Sequence, residues 1–152
     1  MSDLPERAPD WVLFLDAERD PPKSADVFGK EVIHAKNIRE FIAAVEARGE
    51  PFMVMFDWHL GAGEPDGLDA ARWLVAYDRR HDILKEGFIY DSQSSDREKA
   101  RDIVRLLADH LADKFDTDPE QTARAAHRRA RTVTASITKP KAMPSRFRFS
   151  DR

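Results

Sequence analysis

Two short apolar runs, each stopped by an aspartate, constrain this chain more than any other feature. Trp11-Val-Leu-Phe-Leu15 runs into Asp16, and Phe52-Met-Val-Met-Phe56 runs into Asp57. Runs this short cannot cross a bilayer, and they lack the alternation of a half-exposed strand. They read as strands buried on both faces, of the kind that parallel sheets contain. Residues 31–35 (EVIHA) and 87–90 (GFIY) supply a third and a fourth candidate. A fifth is residues 131–138 (RTVTASIT), rich in β-branched side chains and stopped by Pro140.

Helical periodicity separates these strands. Ile38, Phe41, Ile42 and Val45 recur at spacings of three and four, with Gly49 as the stop, which predicts a helix over 37–48. Leu68, Ala71, Leu74 and Val75 predict another over 68–79, and Ile103, Leu106, Leu107 and Leu111 a third over 96–115. Asp118-Pro-Glu-Gln121 has the pattern of a helix start, with the acid as cap and proline first, and the helix is expected to end near 129. The stretch 16–30 holds Asp20-Pro-Pro22 and Gly29, and is expected to be a loop. Alternating strands and helices imply an α/β fold, a doubly wound parallel sheet of five strands.

At 152 residues and 41% hydrophobic content the chain suits one domain, expected over 1–139, followed by a basic tail over 140–152. It has no cysteine, which excludes disulfides, thiolate metal sites and thiol nucleophiles, and fits a reducing compartment. With no apolar span and a polar N-terminus, no membrane association is expected and the cytoplasm is the default location. The net charge of −3 conceals an asymmetry: residues 121–152 carry about +8 and residues 1–120 about −11. A basic tail on an acidic body either offers two binding faces or folds back on itself.

In doubly wound sheets, ligands bind beyond the carboxyl ends of the strands. There the sequence places Asp16, Glu18 and Arg19 after the first strand and Asp57, Trp58 and His59 after the third. Asp91, Ser92, Gln93 and Ser94 follow the fourth strand, and Lys139 the fifth. Carboxylates crowded at one edge repel unless something positive lies between them. Mg²⁺, held by Asp16, Glu18 and Asp57, is one candidate. Arg19, Ser92 and Lys139 would then bind phosphate, by charge and hydrogen bonding. The basic segment Arg124-Ala-Ala-His-Arg-Arg-Ala-Arg131 and the tail Arg146-Phe-Arg-Phe149 could follow a nucleic-acid backbone or meet a protein partner.

These elements together resemble a known family. Leu15-Asp-Ala-Glu-Arg-Asp-Pro21 resembles an LDDxRxP element, and Phe56-Asp-Trp-His-Leu-Gly61 resembles (F/L)DHDLG. Asp66-Gly-Leu-Asp-Ala-Ala-Arg-Trp-Leu74 resembles tGxDxxxWL, and Phe88-Ile-Tyr-Asp-Ser-Gln-Ser94 resembles VHSxN. In order, over about residues 11–107, they are similar to the cyclic-phosphate-processing branch of the receiver superfamily. The resemblance implies strand order 2-1-3-4-5, with the first crossover helix replaced by a loop. It also implies a metal-assisted phosphoesterase acting on cyclic or linear phosphate of a nucleotide or RNA end. Its pattern places an acid at 59 and a histidine at 91, where this chain has His59 and Asp91. An Asp–His acid–base pair with exchanged members is therefore expected. Ala17, Trp58 and Ser94 also depart from the pattern. The alternative expectation is a receiver-like module that has lost catalysis and binds a protein or nucleic acid through its basic C-terminal segment. A third reading, phosphate accepted on Asp57, is weakened by Ala17.

Overall fold

The computed structural model describes residues 9–135. β1 (Trp11–Leu15) is buried at every position because it is an inner strand. β2 (Glu31–Ala35) pairs with one side of it and β3 (Met53–Phe56) with the other. β4 (Ile89–Ser92) lies beyond β3. All pairings are parallel and the order is β2-β1-β3-β4.

Four helices accompany the strands: α1 (Ile38–Arg48), α2 (Gly67–His81), α3 (Arg97–Phe115) and α4 (Pro119–Val133). Each begins after a residue whose side-chain oxygen accepts backbone N–H groups left open in the first turn. These caps are Asn37, Asp66, Asp96 and Asp118. Strand alternation divides the interior in two. Leu13, Leu15, Val54, Phe56 and Tyr90 share one core with Phe41 of α1, Leu74 of α2 and Leu107 of α3. Val12, Met53 and Ile89 face a smaller core closed by Val27, Ala130 and Val133. No helix of the described residues is long and apolar enough to cross a membrane.

Two boundaries move and one element changes type. β4 starts two residues later than its apolar run, because Gly87 takes φ 95° and Phe88 N–H closes a turn onto Lys85 O. Asp91 and Ser92 are therefore strand residues opposite Met55 and Phe56. The loop after β1 contains one 3-10 turn, Ser24–Val27, which buries Val27 against the smaller core.

The expected fifth strand does not begin at Arg131, since residues 131–133 form the last turn of α4. Ala126, Ala130 and Val133 are buried at helical spacing, and that period prevails over the strand propensity of Thr132 and Val133. The Thr132 and Thr134 hydroxyls donate back to the carbonyls of Arg128 and Ala130. Residues 136–138, Lys139 and the basic tail lie outside the described residues. α4 packs against α3 and along β4.

Candidate functional site

The strand order reverses between β1 and β3, which leaves a crevice beyond their carboxyl ends. Asp16 and Asp57 stand there, one after each strand. Their backbones continue the sheet pairing, with Asp16 N–H donating to Ala35 O (3.0 Å) and Asp57 N–H to Leu15 O (3.1 Å). A cleft of about 320 Å³ opens above them, lined also by Glu18, Arg19, His59 and Ser95.

Asp16 is 1% exposed, and protein donors use both its oxygens. Oδ1 accepts the N–H groups of Glu18 and Arg19, each at 2.9 Å. Oδ2 accepts Arg19 Nη1 at 3.0 Å and Gln93 Nε2 at 3.3 Å. Burial would raise its pKa, but the two backbone donors, the Gln93 amide and the Arg19 charge outweigh it and hold the carboxyl below its usual value. The turn is also fixed from behind, where the His34 ring lies 2.8 Å from Asp16 O.

Asp57 behaves in the opposite sense. Burial, and then the charge on Asp16, raise its pKa despite the Trp58 N–H and the charges of Arg19 and His59. Arg19 lies between the two acids, with the same Nη1 at 3.9 Å from Asp57 Oδ1 and donating to Gln93 O at 3.0 Å. The positive charge that the paired carboxylates require is therefore a guanidinium of this chain. As arranged, the pair does not fit a divalent cation bridging both acids, because Arg19 would have to leave and the oxygens of Asp16 are already committed. Glu18 is exposed on the cleft wall, and among the described residues no three Asp, Glu or His side chains gather as metal ligands.

The expected acid–base pair is not brought together. His59 is exposed, and its Nε2 lies 3.4 Å from Lys99 Nζ, which also stands over the Trp58 ring at 5.2 Å. Asp91 opens instead onto a separate cleft on the other side of the 92–95 turn, together with Ser92. The cause is the pleat: Asp91 alternates with Tyr90 and Ser92, so it points toward α4. The imidazole it meets there is His127, with Nδ1 at 3.9 Å from Asp91 Oδ2. Burial raises the pKa of Asp91, opposed by the Ser92 N–H, His127 and Arg131. Ser92 Oγ accepts the Ser94 N–H at 3.3 Å. Lys139 lies outside the described residues.

The model of the cyclic-phosphate processing receiver domain matches residues 11–109, about two-thirds of the chain. The chain belongs to this receiver family. No curated protein matches it. A solved fusion protein carrying the trimeric coiled coil of yeast Spc42 aligns with 87% of this chain and 86% of its own, at 13% identity and a TM-score of 0.43.

Two residues of this receiver domain are more important than their sequence signal suggested. Gln93 occupies a variable position of the fourth motif, yet it ties three strand ends together. Its N–H donates to Phe56 O (2.8 Å) and its side-chain amide to Leu15 O (3.2 Å) as well as to Asp16. His127, which reads as an ordinary helix residue, lies beyond the receiver match, in α4. Only the packing of α4 against β4 shows its proximity to Asp91. The glycine of the third motif, Gly67, does have a signal. Its N–H donates to Trp58 O at 2.7 Å, and a Cβ there would lie 1.8 Å from Asp57 O.

Proposed function

We propose that this chain is a receiver-like binding module in which Arg19 takes the place of a bridging metal, so that the Asp16–Asp57 cleft does not hydrolyse phosphoesters and a phosphate-bearing partner is bound elsewhere on the domain. One observation carries the reading: a single guanidinium nitrogen lies 3.0 Å from Asp16 and 3.9 Å from Asp57. The separation of His59 from Asp91 supports it, because a phosphoester hydrolase would need a positioned acid and base.

The metal-assisted phosphoesterase reading is favoured by a different observation. Burial, and then the Asp16 charge, keep the pKa of Asp57 raised despite Arg19, and a hydrated Mg²⁺ on Asp57 and Glu18 would favour its ionised form. Calorimetric titration with Mg²⁺ and Mn²⁺ separates the two. The binding-module reading expects no specific uptake by the wild type into the low-millimolar range, and a gain of binding in Arg19→Gln, where both acids are released. It also expects no turnover of a panel of cyclic and linear phosphoesters. Wild-type binding that Asp57→Asn abolishes, accompanied by turnover, would establish the phosphoesterase instead.

A further inference from the structure

The second cleft, between the end of β4 and the facing sides of α3 and α4, has a volume of about 410 Å³. Ser92 and Ser94 line one side, and Arg97 and Arg101, one helical turn apart on α3, line another. His127 of α4 faces Asp91 across it. The floor includes Ala100, Val104 and Tyr90, the last with a buried hydroxyl that has no hydrogen-bond partner among the described residues.

The two clefts differ in sign. The first sets Asp16, Glu18 and Asp57 against Arg19 and His59. The second sets a single acid, Asp91, against two arginines and a histidine. No ion pair occupies Arg97 or Arg101 among the described residues, whereas Arg19 is held by Asp16. An anion entering at the carboxyl ends of the strands is therefore repelled from the first cleft and drawn to the second.

We infer that the cleft between β4, α3 and α4 binds the phosphate group of a small phosphate ester, held by Arg97, Arg101, His127 and the hydroxyls of Ser92 and Ser94. A phosphate fits better than a carboxylate because the donors stand on three sides, whereas a planar carboxylate is satisfied by one arginine fork. His127 turns Nδ1 toward Asp91, at 3.9 Å, which leaves Nε2 as the ring nitrogen for the anion. The apolar floor gives room for the body of the ester, in a volume typical of small-ligand sites. The inference deepens the binding-module reading by supplying its ligand. It uses none of Asp16, Arg19 or Asp57, so either can fail alone.

The test is an NMR titration of the whole chain with inorganic phosphate, adenosine monophosphate and adenosine. The expected result is saturable shifts confined to residues 91–104 and the neighbourhood of His127, for the two phosphate-bearing probes and not for adenosine. Tighter binding of the monophosphate identifies an ester as the ligand, whereas equal binding identifies free phosphate and overturns the ester. Arg97→Ala and Arg101→Ala are exposed-site changes and should each weaken binding by about tenfold, roughly the loss of one charge-assisted contact. His127→Gln should weaken it less, and Arg39→Gln, an exposed change on α1 outside both clefts, should leave it unchanged. No shift at about 10 mM probe, or binding insensitive to both arginine changes, would overturn the proposal. Binding lost in Arg19→Gln but kept in Arg97→Ala and Arg101→Ala would place the anion in the other cleft and also overturn it.

Discussion

Replacing Asp78 by alanine is expected to destabilise the protein by about 3–5 kcal/mol, the usual consequence of deleting one member of a buried charge network. Asp78 is 2% exposed at the end of α2. Its Oδ1 accepts the N–H groups of Ile83 and Leu84, each at 2.8 Å, and its Oδ2 lies 2.7 Å from His110 Nε2. Lys114 Nζ reaches both oxygens and also donates to Leu84 O at 2.7 Å. Truncation leaves a buried and a half-buried backbone donor, an imidazole and an ammonium without their common acceptor. At this chain length the loss corresponds to a fall in Tm on the order of 10 °C. Asp82, the other acid on Lys114, is 85% exposed, and Asp82→Ala should change stability little.

The same site carries a pH signature. Burial works to raise the pKa of Asp78, but the Leu84 N–H, His110 and Lys114 outweigh it and leave the carboxyl below its ordinary value. A depressed carboxylate contributes stability that is complete above the unfolded pKa, near 4, and is lost as pH falls through the folded one. Asp78→Asn keeps an acceptor for the two backbone donors but cannot titrate. Denaturant unfolding between about pH 5 and pH 2 should show a shallower acid decline in this variant than in the wild type. Parallel declines would mean that Asp78 does not contribute to acid sensitivity.

The second large effect is expected at Gly67. An added methyl would lie 1.8 Å from Asp57 O, 2.8 Å from Asp57 C and 3.1 Å from Trp58 Cα, all of them backbone. No rotamer change relieves such an overlap, so the first turn of α2 must separate from the 57–58 turn, and the 2.7 Å bond from Gly67 N–H to Trp58 O breaks with it. Gly67→Ala should cost at least about 3 kcal/mol, the upper end for an overpacked core. Any folded fraction should show altered amide shifts at Asp57 and Trp58. A variant as stable as the wild type, with those shifts unchanged, would refute the close approach.

The parts of this molecule that could be read from sequence are those governed by local chemistry. Apolar runs bounded by charge located β1 and β3, and apolar periodicity located the starts of α1, α2 and α3 to within a residue. Boundaries failed where tertiary packing decides. Residues 131–133 have strand-forming side chains, but burying Ala126, Ala130 and Val133 together requires a helix. The candidate site was legible as a place and less so as a set of contacts. Asp16, Glu18, Arg19, Asp57 and His59 do share one cleft. Whether Asp91 meets His59 or His127 depends on which element packs beside the end of β4, and the docking of α4 there is a tertiary contact with no local signal. His110 shows the same limit. It looks like a scattered helix histidine until the packing of α2 on α3 brings it to Asp78.

β2 raises a different issue, the protection of an open sheet edge from intermolecular pairing. β4 has α4 alongside it, but among the described residues β2 pairs only with β1 and leaves a row of peptide groups that another chain could extend. The strand is five residues long and is bracketed by Lys30 and Lys36. Its first residue, Glu31, is pinned outward by both guanidinium nitrogens of Arg48, at 3.0 and 3.1 Å. A second strand docking there would have to bury those charges for only a few hydrogen bonds in return. The flanking lysines and the Glu31–Arg48 pair thus oppose the templating of aggregation at this edge.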